Sequence, residues 1–239
     1  FWLKSLAVQF GGVLPQLCTR THLSKTAATG MAESKPVLYY FALSGRGEIS
    51  RMIAKTGGLE LLEETSLEDK ASFGSPGSLP CLSHGDLKLS QSHAIVSYLL
   101  DITPKFKDMN PMHKAKDVQF NAILDDLMSE FAKVLFGPDK ANAREPVAAS
   151  GEKWYGILEG LVPPSGFVNG LKFPTGADYA CVIMAKAFMP FGAAMKIGSY
   201  DPLPKCPKFS ALVDRTASVP DVKKYLEEST TLRANPMGF

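Results

Sequence analysis

The sequence predicts an α+β/α two-domain architecture: a small domain with a mixed sheet, then an all-helical domain. Three observations carry this reading. Residues 35–102 read β-α-β, loop, β-β-α, which is the content of a small sheet with helices. Thr103 to Pro111 (TPKFKDMNP) holds two prolines and little apolar pattern, as a linker does. Beyond it only helical periodicity remains, enough for a bundle of five or six helices. The division is 1–34 extension, 35–102 first domain, 103–112 linker, 113–230 helical domain and 231–239 tail.

Val37 to Ala42 is rich in β-branched and aromatic residues and predicts a short buried strand. Alternation sends Leu38 and Tyr40 to one face and Val37, Tyr39 and Phe41 to the other, so the two tyrosines cannot share a role. Tyr40 falls where strand gives way to loop, at the carboxyl edge where open α/β sheets keep their ligand sites. A turn with Ser44 and Gly45 leads to a helix with Glu48 near its positive end, running over Ile49–Thr56 and stopped by Gly57-Gly58. Leu59–Leu67 reads as a second, less regular strand, and 68–78 as a polar loop with room for one helical turn. Leu79–Leu82, a turn at His84-Gly85-Asp86 and Leu87–Leu89 form a hairpin signal. Pro80 lacks an amide donor and belongs at an edge or in a loop, with a cis bond open to it. Ser90 or Ser92 then caps a helix reaching about Leu100, with Ala94, Ile95, Tyr98 and Leu99 on one face.

In the helical half, Val118, Ile123, Leu124, Leu127, Met128, Phe131 and Leu135 mark one long amphipathic helix ended by Gly137-Pro138. Lys153–Leu161 is another. Thr175-Gly176-Ala177-Asp178 is a capping box, and the apolar run Tyr179–Phe188 behind it predicts a central buried helix. Pro220 opens a last helix, Asp221–Glu228.

Composition narrows the function classes. Hydrophobic residues make up 45% and charged residues 21% of the 239, which is ordinary for a globular chain. No apolar run approaches the roughly 20 residues that cross a bilayer. The net charge of +2 has no basic stripe behind it, and no base-stacking motif accompanies it, so neither nucleic acid nor membrane is expected as a partner. Cys18, Cys81, Cys181 and Cys206 are scattered, which argues against a zinc site or a dithiol centre and fits a reducing compartment.

Residues 1–34 look foreign to the rest of the chain. Of these, 1–32 hold Lys4, Arg20 and Lys25 and no acid. We expect Met31 to be the true start and the protein to be cytoplasmic. The alternative is a transit peptide directing it to a mitochondrion or plastid.

Several separated motifs agree with one family. The strand and turn YFALSGRGE (40–48), the lead G-S-L-P (77–80), the helix start Gln91-Ser92-His-Ala-Ile, the segment DDLMSEF (125–131), the box T-G-A-D-Y (175–179) and the stretch CPKFSALVDRTASVPDVKKYLEE (206–228) resemble a cytosolic glutathione transferase. The likeness is closest to the sigma class and covers about residues 36–228. It implies a thioredoxin-like domain that binds glutathione, an all-helical second domain, and a homodimer with the electrophile pocket between domains. The chain departs from the sigma pattern in 64–76, which is shorter and has no tryptophan. The anchor of the glycine carboxylate is therefore left open, with Lys70 as a substitute or as plain surface.

The resemblance also implies roles. Tyr40 is the catalytic tyrosine, donating to the thiolate of glutathione, while Tyr39 is core. Ser44 is its rival, since other classes use a serine in this loop. Arg46 lies near the tyrosine and favours the thiolate. Gln91 and Ser92 hold the γ-glutamyl end, Ser92 at a helix start where a carboxylate is favoured. Leu79 pairs its backbone with the cysteinyl part, strand to strand, with Gly77 and Ser78 as weaker contacts of the same loop. Asp125 reaches the γ-glutamyl ammonium bound to the partner subunit, or else it and Asp126 are helix-surface acids. His84 and His93 have no partner at a diagnostic spacing and read as surface or helix-face residues. Asp117, Asp125 and Asp126 make no metal loop, and Ala122 stands where a metal-binding relative has another aspartate, so no metal is expected. The expected activity is transfer of glutathione to a hydrophobic electrophile, as in detoxification. The alternatives are a glutathione-dependent isomerase or peroxidase of the prostaglandin D synthase type, or a non-catalytic protein on the same fold.

Overall fold

The computed structural model describes residues 34–239. The N-terminal extension, with Met31 and the transit-peptide alternative, lies outside the described residues. A four-stranded mixed sheet comes first, in the order β2-β1-β3-β4. Strand β1 (Val37–Tyr39) runs parallel to β2 (Leu62–Glu64) and antiparallel to β3 (Cys81–His84), which pairs with β4 (Leu87–Ser90). Helix α1 (Glu48–Gly57) joins β1 to β2, and Gly58 ends it in a left-handed conformation with φ of 79°. Strand β1 is shorter than expected: the Tyr40 N–H still donates to the Glu64 carbonyl at 2.9 Å, but the ladder ends there and the chain bends from Ala42. The β2 strand is fully exposed, which explains its weak signal.

Helix α2 (Ser92–Ile102) buries Ile95, Val96, Leu99 and Leu100; Ala94, expected on that face, is exposed. Neither Ser90 nor Ser92 caps it. The residue before the first turn is Gln91, at φ of 73°, and Ser92 is already helical. The stretch after α2 is less open than its prolines suggest. Phe106 is fully buried, with ring centroids 6.2 Å from Tyr179 and 6.3 Å from Phe173. The connection closes at Asn110, whose side chain accepts from the His113 N–H at 2.9 Å and caps α3 (Pro111–Phe136).

Helices α4 (Arg144–Leu161), α5 (Gly176–Lys186), α6 (Ala193–Gly198), α7 (Pro207–Ser218) and α8 (Pro220–Glu228) complete the bundle. Helix α5 is its axis: from Ala177 to Met184 every residue is buried. The capping box forms as the sequence proposes, with Asp178 accepting from the Thr175 N–H at 2.9 Å. The Thr175 hydroxyl also donates to Asp117 of α3 at 2.7 Å, and the Ala177 N–H reaches the same oxygen at 2.9 Å. The start of α5 is thus tied to α3 by charge-assisted bonds. Between α5 and α6 the backbone breaks at Met189, and the Met189–Pro190 bond is cis. One apolar core joins both halves, from Leu38, Met52 and Leu82 through Leu99 and Leu127 to Phe131, Tyr179 and Phe209. No single helix among the described residues is long and apolar enough to cross a membrane.

Candidate active site

Tyr40 is placed by the glycines that come after it. A Cβ at Gly45 would lie 2.2 Å from the Tyr40 hydroxyl, and one at Gly47 would lie 2.4 Å from its ring. Only glycine lets the turn close over the tyrosine, and Gly45 also needs its φ of 49°. The ring is buried, and its hydroxyl accepts from the Arg46 N–H at 2.8 Å. One acceptor bond leaves the phenolic proton available to donate elsewhere. Burial pushes the Tyr40 pKa above its ordinary value, against the pull of the Arg46 amide and the Arg46 and Arg51 charges. The group is a neutral donor.

Ser44 is otherwise engaged. It is fully buried, and its hydroxyl donates to the Met189 carbonyl at the α5–α6 break. Its one proton is therefore directed away from any thiolate.

A cavity of about 250 Å3 lies beside this turn, lined by Arg46, Ser78, Leu79, Pro80, Gln91, Ser92, His93 and Asp125. Six sequence-proposed residues from separate elements meet here. The Leu79–Pro80 bond is cis. Tyr40 is not on the cavity wall; it is joined to it through the Arg46 amide. Gly77 lies just outside, at φ of 127°, in the exposed loop. Lys70 is not on the wall either. It precedes the short turn Ala71–Phe73.

The acidic centre of the cavity is Asp125. Within its own chain Asp125 touches Ser92, Arg46 and His93. Ser92 donates to Asp125 Oδ2, Arg46 Nε lies 3.5 Å from Oδ1, and His93 Nε2 lies 3.4 Å from Oδ2. These contacts form because α3 packs against the start of α2. Burial raises the Asp125 pKa, while the Ser92 bond and the Arg46 charge oppose that rise. Oδ1 is buried and accepts no hydrogen bond from the described residues. An unfilled carboxylate lone pair in a cavity suits an incoming cation. Asp126, its neighbour, is exposed.

Three further readings change. His93 is not a plain helix-face residue, since it lines the cavity. His84 is buried, with its ring nitrogens 2.6 Å from the Tyr98 hydroxyl and 2.8 Å from the Ser34 carbonyl. Tyr39 is not core but half-buried, edge-on to Phe73 at 5.6 Å on the outer face of the sheet. Sequence reasoning missed Arg51, whose buried guanidinium spans the loop after Tyr40. A hint was present in its helical spacing from Glu48, i to i+3. Among the described residues no group of three or more His, Cys, Asp or Glu side chains converges as a metal site.

A small mixed sheet leading into a helical bundle, with a polar cavity beside the first strand–helix turn, is the fold of glutathione transferases. The crystal structure of the glutathione S-transferase from Ascaris lumbricoides is similar, with a TM-score of 0.63 at 25% identity, covering 82% of this chain and 97% of that one. No family model matches the chain. Among curated proteins, it is 28% identical over 203 residues to a Caenorhabditis elegans protein named probable glutathione S-transferase gst-36, covering 80% of this chain and 94% of that relative. It is 27% identical over 205 residues to glutathione S-transferase alpha-2 of Rattus norvegicus, covering 81% and 88%. These relatives support transferase kinship in general and do not single out the sigma class.

Proposed function

We infer that this chain is a glutathione transferase, which binds glutathione in the Arg46–Ser92–Asp125 cavity and transfers its thiolate to a hydrophobic electrophile. The observation that carries the reading is the meeting of residues from four separate elements around one polar cavity next to a buried, neutral tyrosine donor. The γ-glutamyl carboxylate would sit at the first turn of α2, against Ser92, where helix amides and dipole favour an anion. Its ammonium would fill Asp125 Oδ1, from the same subunit or, as the family resemblance implies, from the partner. Gln91, at its positive φ, presents its side chain at this junction, and the Leu79 backbone is set to pair with the cysteinyl part, with Ser78 and Gly77 beside it.

A free thiol has a pKa near 8.5 and is mostly protonated at neutral pH. The Tyr40 hydroxyl donates to the sulfur, and the Arg46 cation adds to the preference for the anion. Phe41, 52% exposed with its ring 5.4 Å from that of Tyr40, offers an apolar surface for the second substrate. No metal enters this scheme.

We further propose the sigma class on the Y-F-x-x-x-G-R frame, a homodimer on the family resemblance, residues 35–102 and 113–230 as the two domains, a detoxifying role and a cytoplasmic location. Retention on immobilised glutathione, then conjugation with a generic aromatic halide, tests the activity. Failure of both would overturn it. Light scattering tests the dimer, and imaging of the tagged full chain in cells tests the location.

A further inference from the structure

Behind the Tyr40 loop lies a buried charged cluster that the proposed chemistry does not use. Glu48 is fully buried at the start of α1, and Arg51 is 4% exposed. The Arg51 guanidinium donates to the carbonyls of Phe41 at 2.9 Å and Leu43 at 2.8 Å, the two residues flanking Ala42 just after Tyr40. Its Nε pairs with Glu63 of β2 at 2.6 Å, and its centre lies 5.6 Å from the middle of the Tyr40 ring. Arg51 therefore clamps the backbone that carries Tyr40.

Arg51 is held in turn by Glu48, at 3.1 Å, and Glu48 is held from the other end of the chain. The Tyr225 hydroxyl of α8 donates to Glu48 Oε1 at 2.6 Å and the Thr231 hydroxyl to Oε2 at 2.8 Å, with the Ser229 hydroxyl 3.4 Å from Oε1. Burial and the neighbouring Glu48 push the Tyr225 pKa upward, so it keeps its proton and donates. A buried carboxylate needs its donors. Residues 229–231 come just after the last helix and are not deeply buried themselves; the segment is anchored next to them by Leu232, which is buried in the core and accepts from the Phe188 N–H at 2.8 Å. They also wall a cavity of about 370 Å3 shared with Arg51, Glu63 and Tyr225.

We propose that Thr231 and Tyr225 are positioning residues, which act through Glu48 and Arg51 to set the Tyr40 hydroxyl against the thiol. The segment after α8 thereby tunes thiol activation from far away in sequence, as the separations of 177 and 183 residues show. With a donor removed, Glu48 draws Arg51 toward itself, and the Phe41 and Leu43 carbonyls lose their clamp. The proposal rests on the transferase reading.

The test uses the full chain with Thr231→Val, Thr231→Ser and Tyr225→Phe. Ionisation of bound glutathione is monitored by ultraviolet difference titration, alongside the pH profile of kcat/KM. For Thr231→Val we expect the acid limb to move up by about half to one pH unit and kcat/KM below that limb to fall about three- to tenfold. Thr231→Ser restores both, and Tyr225→Phe repeats the shift. A parent that ionises glutathione while Thr231→Val and Tyr225→Phe keep its profile would overturn the relay and leave the transferase reading standing. Equal losses in Thr231→Val and Thr231→Ser would also overturn it, as would a fall in activity with no shift of the limb. A parent that never ionises bound glutathione would sink both.

Discussion

Replacing Tyr40 by phenylalanine keeps the buried ring between Gly45 and Gly47 and removes only the hydroxyl. In the fold, that hydroxyl accepts one bond, from the Arg46 N–H at 2.8 Å. Its loss costs about 1 kcal/mol of stability, the usual worth of a neutral hydrogen bond. In the complex with glutathione the same group donates to a charged sulfur, a bond worth about 1.5–3 kcal/mol. At about 1.4 kcal/mol per pH unit, the bound thiol pKa should rise by about one to two units. At neutral pH the thiolate fraction, and turnover with it, should fall about eight- to twenty-five-fold as the bound thiol pKa returns to near 8.5. Glutathione affinity should change little, because its charged ends are held at Ser92 and Asp125. Calorimetry gives the affinity, thiolate absorbance the pKa, and steady-state rates the turnover. Ser44→Ala is the control: its hydroxyl is spent on the Met189 carbonyl, so it should lose stability rather than thiol activation. Full turnover in Tyr40→Phe with an abolished thiolate in Ser44→Ala would refute the assignment.

Gly47→Ala puts a methyl 2.4 Å from the Tyr40 ring, which cannot yield as a flexible chain end would; a turnover loss at least as deep as that of Tyr40→Phe, with a lower melting temperature, is expected. Asp125→Asn should weaken glutathione binding by about 1.5–3 kcal/mol, the range for a charge-assisted bond, with the oligomeric state unchanged by light scattering; undiminished affinity would remove Asp125 from the site. Burial raises the Asp178 pKa from 3.8 to about 6. The folded state then holds its proton more tightly than the unfolded chain. This contribution is fully present below about pH 4 and is lost as pH rises through about 6, some 3 kcal/mol in all. Urea unfolding of the parent and Asp178→Asn should show the parent's relative stability falling between about pH 4 and about pH 7, and a relative stability that grows instead would reverse the sign.

Local chemistry alone determined much of this protein. The β-branched and aromatic run at Val37, the double glycine after Thr56, the hairpin around Gly85-Asp86 and the Thr175–Asp178 box each specify an element within a few residues, because their signals depend on neighbours in sequence. Tyr40, Arg46, Ser92 and Leu79 stood out in the sequence through the family resemblance, and Arg46, Leu79 and Ser92 meet at one cavity with Tyr40 beside it. What no local signal carries is which side chain meets which across the chain. The pairing of Asp125 with Ser92 in one subunit, the commitment of Ser44 to Met189 and the burial of Phe106 all depend on how helices pack. So does the role of Glu48, which from its spacing is a helix-start acid paired with Arg51. Only the return of the chain after α8 surrounds it with hydroxyls and turns a surface-like pair into a buried clamp on the Tyr40 loop. The physical reason is that burial converts ordinary polar residues into obligate partners, and burial is decided by the whole fold.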